Sequence, residues 1–301
     1  MSAKLVEQIG HLRKSLKAII LAHNYQRPEV QDIADFTGDS LELSRKAAGT
    51  DAEVIVFCGV HFMAETAKIL SPHKTVLLPD EEAGCPMADM ITLEQLEAEK
   101  AKYPGVMVVC YVNSSAAVKA GSDICCTSAN AVQVVNAVEK DQPILFIPDQ
   151  YLGQYAMNRT GREMHLWPGY CPTHMKIGVG DLRRQRARYP GCKVVVHPEC
   201  RPDVIDEADE ALSTSGIIRY ARSYQGNTLI VGTEIGILHR LKKENPAVEY
   251  IPVTERSVCP NMKRITLEKV LCSMEEMQPT IEVPESIRQG ALAAVERMLA
   301  L

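Results

Sequence analysis

The stretch YPGVMVVCYVN (residues 103–113) recurs 86 residues later as YPGCKVVVHPE (residues 189–199). In both copies a Tyr-Pro-Gly turn signal leads into a β-branched apolar run, a pattern typical of a buried strand. Residues 18–22, AIILA, form the matching run near the start of the chain. The sequence therefore predicts three similar repeats, each built around a short buried strand.

The dipeptide Cys-Pro closes each repeat. It occurs at Cys85, Cys171 and Cys259, with steps of 86 and 88 residues between the cysteines. Such even spacing is the signature of an internal structural repeat. We therefore predict three domains, at residues 1–86, 87–172 and 173–301. The last domain carries the C-terminal helices, and we expect residues 285–301 to pack against the first domain.

Helical and strand patterns alternate within every repeat. The sequence predicts helices at 41–48, 129–138 and 215–223, strands at 54–58, 144–147 and 229–231, and further strands at 76–78, 164–167 and 248–253. Lead-in and closing helices are predicted at 1–17, 93–102, 182–188 and 267–276. Strands alternating with helices form parallel sheets covered on both faces. The predicted fold class is α/β, with three pseudo-symmetric three-layer α/β/α domains whose short parallel sheets surround a central cavity.

Composition excludes several classes of protein. Hydrophobic residues make up 46% of the 301 positions and charged residues 24%, which is typical of a globular chain rather than a disordered one. Acidic residues outnumber basic ones 38 to 33, which argues against nucleic-acid or anionic-membrane partners. The apolar run at 18–22 is too short for a signal peptide or a membrane span, so we expect a cytoplasmic protein.

Ten cysteines occur, yet no pair has the spacing CxxC. This excludes a zinc ribbon, a thioredoxin-type dithiol and a ferredoxin-type cysteine run. Cys58 and Cys110 fall in predicted strands and read as buried apolar thiols. His174, three residues after Cys171, is open to either a functional or a structural interpretation.

Polar residues at alternate positions follow the first strand of each repeat. The pairs are His23 and Tyr25, Tyr111 and Asn113, and His197 and Glu199. A hydroxyl stands seventeen residues beyond the first member of each pair, at Ser40, Ser128 and Thr214. Ligands of parallel α/β sheets bind beyond the carboxyl ends of the strands, and helix N-termini favour anions. These positions therefore predict a shared site for an anionic substrate.

Three cysteines from three repeats point to a metal. A zinc ion with three sulfur ligands is one candidate, and a 4Fe–4S cluster with three cysteine ligands and one open iron is the other. An open iron can act as a Lewis acid on a substrate oxygen or nitrogen. The remaining interpretation is that these are turn cysteines which share ancestry but bind no metal.

Several longer motifs extend this pattern. They are His23-Asn24-Tyr25, Gly38-Asp39-Ser40, GVHFMAETA (59–67), Gly84-Cys85-Pro86, Tyr111-Val112-Asn113, Cys126-Thr127-Ser128-Ala129-Asn130, GYCPTH (169–174), His197-Pro198-Glu199-Cys200, Ser213-Thr214-Ser215-Gly216 and CPNMKRITLEKV (259–270). On these motifs the chain resembles the quinolinate synthase family along essentially its whole length.

The resemblance implies a chemistry and a cofactor. It implies condensation of iminoaspartate with dihydroxyacetone phosphate to quinolinate, with loss of phosphate and water, for NAD biosynthesis. It implies a 4Fe–4S cluster bound by Cys85, Cys171 and Cys259. It also implies the enzyme that supplies iminoaspartate as a partner.

The resemblance assigns roles to the repeated polar residues as well. Tyr25 and Glu199 look like the catalytic acid/base pair, with His23 and His197 also placed among the catalytic residues. His23, Tyr111, Asn113 and His197 would orient substrate around the open iron. Ser40, Ser128, Ser213 and Thr214 would hold phosphate or carboxylates.

Two other classes remain open from the residues themselves. An iron–sulfur electron carrier or redox sensor would prefer four ligands, and it would not need the repeated polar pairs. A metal-free module that binds a phosphosugar would leave the cysteines inert.

Overall fold

The computed structural model describes residues 2–301; Met1, the first residue of the predicted lead-in helix, lies outside the described residues. Strands and helices alternate along this part of the chain, as predicted. The strands are β1 Ala18–His23, β2 Phe36–Gly38, β3 Val54–Cys58, β4 Thr75–Leu77, β5 Met107–Tyr111, β6 Ile124–Cys126, β7 Ile144–Ile147, β8 His165–Leu166, β9 Lys193–Val196, β10 Glu210–Ala211, β11 Thr228–Gly232 and β12 Glu249–Pro252.

These strands form three sheets of four strands within residues 2–301. Their orders are β2-β1-β3-β4, β6-β5-β7-β8 and β10-β9-β11-β12, so each sheet has the same topology. The central pairs run parallel, with Ile20 beside Val56, Val108 beside Leu145 and Val195 beside Val231. The predicted α/β class with short parallel sheets flanked by helices is confirmed.

Helices connect the parallel strands. They are α1 Ser2–Ser15, α2 Pro28–Ile33, α3 Ser40–Ala48, α4 His61–Leu70, α5 Leu93–Lys100, α6 Ala116–Ala120, α7 Ala131–Ala137, α8 Gln150–Thr160, α9 Val179–Arg188, α10 Pro202–Ile205, α11 Thr214–Ser223, α12 Ile237–Glu244, α13 Leu267–Glu276 and α14 Glu285–Leu299. Side-chain caps fix several starts: Thr92 caps α5, Asp149 caps α8 and Thr266 caps α13. No helix among residues 2–301 combines the length and apolar character needed to cross a membrane.

The chain divides into two compact units. The first compact unit contains residues 2–104, 112–125 and 260–301, and the second contains residues 105–111 and 126–259. Each unit combines segments that are distant in sequence. The predicted domain boundaries after residues 86 and 172 are not tested by this division and stay a prediction.

The C-terminal helix is part of the first compact unit. Helix α14 packs on α4 and α6, and Ala291 forms a small apolar cluster with Ile69 and Ala116. A Cβ atom on Gly290 would lie 3.0 Å from the Ala120 carbonyl oxygen, so glycine permits the close approach of α14 to α6.

The second compact unit has its apolar core around β9 and β11. Val194, Val196 and Ile230 are fully buried there, together with Ile177, which precedes α9, and Leu182 of α9 itself. Buried parallel strands of this kind position the residues that follow their carboxyl ends.

The Cys-Pro turns repeat in atomic detail. In each turn the N–H five residues after the cysteine donates to the carbonyl two residues after it, at 3.1–3.2 Å: Met90 to Met87, Lys176 to Thr173 and Arg264 to Asn261. A buried isoleucine follows at Ile91, Ile177 and Ile265. The next helix then begins eight residues after each cysteine, at α5, α9 and α13. The repeat seen in the sequence is therefore a repeat of local structure.

Candidate active site

Four parallel strands of the second compact unit end close to buried polar residues. Tyr111 is the last residue of β5, Asp149 lies two residues after β7, His197 follows β9 and Thr233 follows β11. All four are at most 4% exposed. Side chains with polar atoms at the carboxyl ends of parallel strands are the usual location of an α/β active site.

Glu199 is the centre of this cluster. Its side chain is 3% exposed, and its Oε1 accepts a hydrogen bond from the Tyr111 hydroxyl at 2.5 Å. Its Oε2 lies 2.6 Å from His174 Nδ1. Burial alone would raise the pKa of Glu199, but His174, His197 and the Tyr111 hydroxyl together lower it below its ordinary value. Glu199 is therefore an ionised carboxylate with both oxygens held.

His174 connects Glu199 to Cys171. Its Nδ1 lies 3.1 Å from Cys171 Sγ, and its Nε2 lies 2.8 Å from Thr233 Oγ1. Since an ionised carboxylate only accepts, the proton in the 2.6 Å contact with Glu199 belongs to Nδ1. His174 is 2% exposed, and both of its ring nitrogens therefore contact polar side chains.

His197 is oriented by the turn that follows β9. The Glu199 backbone N–H donates to His197 Nδ1 at 3.3 Å, so the neutral imidazole carries its proton on Nε2. That nitrogen lies 3.2 Å from Ser128 Oγ and is its hydrogen-bond donor. The ring also stacks on His174 with centroids 4.7 Å apart. The predicted residues Tyr111, Ser128, His197 and Glu199 therefore lie in one connected network.

Two buried carboxylates hold the cysteine loops of the same unit. Glu234 is fully buried; its Oε1 accepts from the Cys259 backbone N–H at 3.1 Å and its Oε2 from Gly236 N–H at 2.6 Å. Burial and the nearby charge of Glu199 raise the pKa of Asp149 well above its ordinary value, against the backbone N–H groups of Leu152, Tyr151 and Cys171. A buried carboxyl group therefore lies near the backbone amide of Cys171, and another lies near that of Cys259.

The first compact unit contains the matching residues of the first repeat. The Tyr25 backbone N–H donates to His23 Nδ1 at 3.1 Å, as Glu199 does to His197, so the neutral His23 also carries its proton on Nε2. The rings of His23 and Tyr25 meet edge to face at 4.6 Å. Both side chains are buried, and Asn113 of this unit is half-buried.

The predicted hydroxyls differ in their relation to the helix starts. Ser40 and Thr214 are the first residues of α3 and α11, whereas Ser128 lies three residues before α7. Asp39 accepts the N–H groups of Leu41 and Glu42 at the start of α3, and Ser213 accepts the Gly216 N–H as the cap of α11. Two of the three helix starts are therefore capped by the chain itself, and an anion there would use the hydroxyls rather than these N–H groups.

Comparison with known proteins identifies the family. Residues 7–300 match the family model described as NadA: Quinolinate synthetase A protein. The curated relative named quinolinate synthase from Dehalococcoides mccartyi is 60% identical over 292 residues, covering 97% of this chain and 96% of the relative. Those from Desulforudis audaxviator and Methanosarcina barkeri are 56% and 52% identical, and each alignment covers at least 98% of both chains.

This chain belongs to the quinolinate synthase family. The resemblance drawn from the sequence motifs is thereby confirmed. The roles assigned to individual residues stay predictions, and the geometry now shows which of them are in contact.

The cysteines of this family member fall into distinct environments. None of the ten forms a disulfide among the described residues. Cys58, Cys110, Cys125, Cys126 and Cys200 are fully buried, and burial raises the pKa of the Cys58 thiol to about 12. Cys85, Cys171 and Cys259 are half-buried, each in the same kind of Cys-Pro turn. Cys192 is also half-buried and Cys272 is exposed, so the Cys-Pro turn rather than accessibility alone distinguishes the three repeat cysteines.

The structure also contains a group of three donors that suits a single metal ion. Cys171, His174 and Glu199 place a sulfur, a nitrogen and an oxygen within 4.8 Å of one another. The sequence placed Cys171 and Glu199 in separate roles, and it left His174 undecided.

Sequence reasoning left His174 undecided and missed three further buried residues: Thr233, Asp149 and Glu234. Asp149 and Glu234 lie two residues after the ends of buried strands, which are at Ile147 and Gly232, and this position could have identified them. Both are acidic residues at equivalent positions, but the first repeat has Val60 there, so a search for residue types common to all three repeats passes over them.

Proposed function

We propose that this chain is a quinolinate synthase that condenses iminoaspartate with dihydroxyacetone phosphate to quinolinate, with loss of phosphate and water, in NAD biosynthesis. The observation that carries the proposal is the buried Glu199 carboxylate, held between the Tyr111 hydroxyl and the His174 imidazole. A carboxylate fixed in this way at strand ends is suited to acid/base chemistry.

The proposed cofactor is a 4Fe–4S cluster with Cys85, Cys171 and Cys259 as ligands. The donor chemistry fits, since iron–sulfur clusters are bound by thiolates and these three side chains are the half-buried repeat cysteines. Within the first compact unit, the Asn261 side chain donates to the Gly84 carbonyl at 2.9 Å, which ties the residue before Cys85 to the turn after Cys259. When bound, the cluster would supply a Lewis-acidic iron with an open coordination position.

Glu199 acts as the proton acceptor in this proposal. Its ionised carboxylate can remove a proton from carbon next to a carbonyl or imine, and Tyr111 and His174 hold it in place during the transfer. The Tyr25 hydroxyl is the proposed proton donor for a leaving hydroxide. Its side chain is 8% exposed and is oriented by the contact with His23.

Neutral donors hold the anionic groups of the substrates. The His197 Nε2–H and the Ser128 hydroxyl form a pair 3.2 Å apart that can bind a carboxylate or phosphate oxygen. Ser40, Ser213, Thr214, Asn113 and His23 complete the proposed substrate-binding set. The burial of Tyr111, His197 and Glu199 excludes water, which protects an imine substrate from hydrolysis.

The proposed cellular location rests on the cysteines, and the proposed partner rests on the substrate. We propose the cytoplasm, because a reducing compartment keeps cysteines from forming disulfides, and none of the ten forms one among the described residues. An unstable imine also favours close supply, so the enzyme that makes iminoaspartate is the proposed partner. An iron–sulfur electron carrier would have no need of the buried network formed by Tyr111, Glu199 and His174.

The test combines cluster content with product analysis. The full chain is purified and reconstituted without oxygen, its iron and sulfide are measured, and quinolinate is assayed from oxaloacetate, ammonia and dihydroxyacetone phosphate. Glu199→Gln should retain the cluster and lower turnover by about 10²-fold or more, since an acid/base group is lost. Cys171→Ala should lose the intact cluster, while Cys58→Ala, the matched change at a fully buried thiol, should retain it.

Three outcomes would contradict the proposal. An iron-free protein after reconstitution would favour a metal-free binding module. Near-normal turnover of Glu199→Gln would remove this carboxylate from the mechanism. Equal cluster loss in Cys171→Ala and Cys58→Ala would refute the assignment of the ligands.

A further inference from the structure

Three donor atoms of different chemical type face one another in the second compact unit. His174 Nδ1 is 3.1 Å from Cys171 Sγ and 2.6 Å from Glu199 Oε2, and the three ligand atoms lie within 4.8 Å of one another. Thiolate, imidazole and carboxylate are the three ligand types that protein zinc sites use. Zinc–ligand lengths of about 2.0–2.3 Å at tetrahedral angles place ligand atoms about 3.3–3.6 Å apart, so these donors need to separate by less than about 1 Å to hold the ion.

The outer atoms of two of these ligands are already supported. Thr233 Oγ1 lies 2.8 Å from His174 Nε2, and the Tyr111 hydroxyl binds the outward oxygen of Glu199 at 2.5 Å. Metal-binding histidines and carboxylates nearly always have such partners, which orient the ligand and fix the histidine tautomer. The inward atoms, Nδ1 and Oε2, are those that face Cys171.

We propose that the full chain, when its cluster is absent, binds one zinc ion through Cys171 Sγ, His174 Nδ1 and Glu199 Oε2. Three protein ligands leave a fourth tetrahedral position for water, as in zinc sites that are not purely structural. This site is distinct from the proposed cluster site, because it uses His174 and Glu199 and does not use Cys85 or Cys259.

The proton balance of binding is defined. The Cys171 thiol releases one proton to solvent, the neutral His174 imidazole moves its single proton from Nδ1 to Nε2 by exchange with solvent, and no electrons are transferred. The Thr233 hydroxyl oxygen then accepts the Nε2 proton at the observed 2.8 Å. Since Cys171 is shared, zinc and the cluster exclude each other, and zinc is expected to block reconstitution.

The test measures zinc binding to the cluster-free full chain. One zinc ion per chain is expected by competition with a chromophoric chelator. Cobalt in the same site should give a tetrahedral spectrum with the charge-transfer intensity of one thiolate. Cys85→Ala and Cys259→Ala should bind zinc normally although both prevent cluster assembly, and His174→Ala should lose the stoichiometric site.

A second variant keeps the test valid if His174→Ala fails to fold. Thr233→Val preserves shape and removes only the partner of Nε2, so zinc should bind about 10–100-fold more weakly, as for other outer-shell changes. Circular dichroism compares the folding of all variants.

The alternatives give different results. A zinc site of three cysteines would be lost in Cys85→Ala and would show three-thiolate cobalt absorption, and either result overturns this inference. Unchanged zinc affinity in both His174→Ala and Thr233→Val overturns it as well. Failure of the proposed function would instead appear as absent quinolinate in the reconstituted enzyme, whatever the zinc result.

Discussion

Replacing Glu234 by glutamine tests how the Cys259 loop is held in place. The carboxylate is fully buried and accepts two backbone N–H groups, from Cys259 at 3.1 Å and from Gly236 at 2.6 Å. Glu234→Gln keeps the shape of the side chain but offers only one acceptor oxygen. Its NH₂ group must then face one of the two N–H donors.

The expected cost can be worked from these two contacts. A hydrogen bond to a charged group contributes about 1.5–3 kcal/mol, and a buried N–H left without a partner costs about 1–3 kcal/mol. Removing a buried charge returns part of its desolvation penalty. We therefore expect the Cys259 loop to lose about 2–4 kcal/mol of local stability, which corresponds to a roughly 30- to 1000-fold increase in local opening.

Hydrogen exchange followed by mass spectrometry measures this opening directly. The peptide covering residues 254–262 should exchange faster by that factor in Glu234→Gln. The matched control is Glu207→Gln, which makes the same change at a surface carboxylate paired with Arg183 and should leave this peptide unchanged. A change of less than about threefold at residues 254–262 would show that the carboxylate does not hold the loop.

Two further predictions concern packing and pH. Burial raises the pKa of Cys58 to about 12 in the folded chain, above its unfolded value, so stability falls as pH rises through that interval. The unfolding free energy of the native chain relative to Cys58→Ala should drop by about 1.4 kcal/mol between pH 8 and pH 10 in urea titrations, and a pH-independent difference would refute the assignment. Gly290→Ala should lower the free energy of unfolding by about 1–2 kcal/mol, since the new Cβ would lie 3.0 Å from the Ala120 backbone. Gly10 lies in helix α1 with open space where a Cβ would lie, so Gly10→Ala should instead raise the free energy of unfolding by up to about 1 kcal/mol. Equal effects of the two substitutions in urea unfolding would contradict the packing argument.

The central strands and several helices could be predicted because their sequence signals are strong. The predicted strands at 54–58 and 144–147 coincide with β3 and β7, and the predicted helix at 267–276 coincides with α13. The edge strands β2, β6 and β10 were missed, since segments of two or three residues show no periodicity. Helix α8 was also missed; its Gly153 weakens the helical signal, yet a Cβ there would lie 2.6 Å from the Leu166 side chain.

The candidate site was predictable where its residues alternate after a strand. Tyr111, His197 and Glu199 follow that rule, and the structure connects the three. His174 does not follow it, because its role depends on the path of the chain after Cys171 rather than on a local pattern. Its contact with Thr233 joins positions 59 residues apart, which no spacing rule anticipates.

The Cys-Pro turns show how a repeated scaffold can support asymmetric chemistry. In all three turns the third residue after the cysteine is buried, but it is Ala88, His174 or Met262. Only His174 among them can donate to a carboxylate, so only the turn after Cys171 contributes a side chain that orients Glu199.

The strand ends show the same division between backbone and side chain. The third residue after the end of each of the strands β3, β7 and β11 donates a backbone hydrogen bond at 2.8–3.0 Å. The acceptor is the carbonyl two residues before the Cys-Pro cysteine of the same repeat. The residue just before the donor is Val60, Asp149 or Glu234. The backbone bonds place three cysteine loops in the same way, whereas valine offers no acceptor to its loop and the two carboxylates do. An equivalent backbone hydrogen bond therefore anchors each cysteine loop to its own sheet, and the buried side chain beside that bond differs from one loop to the next.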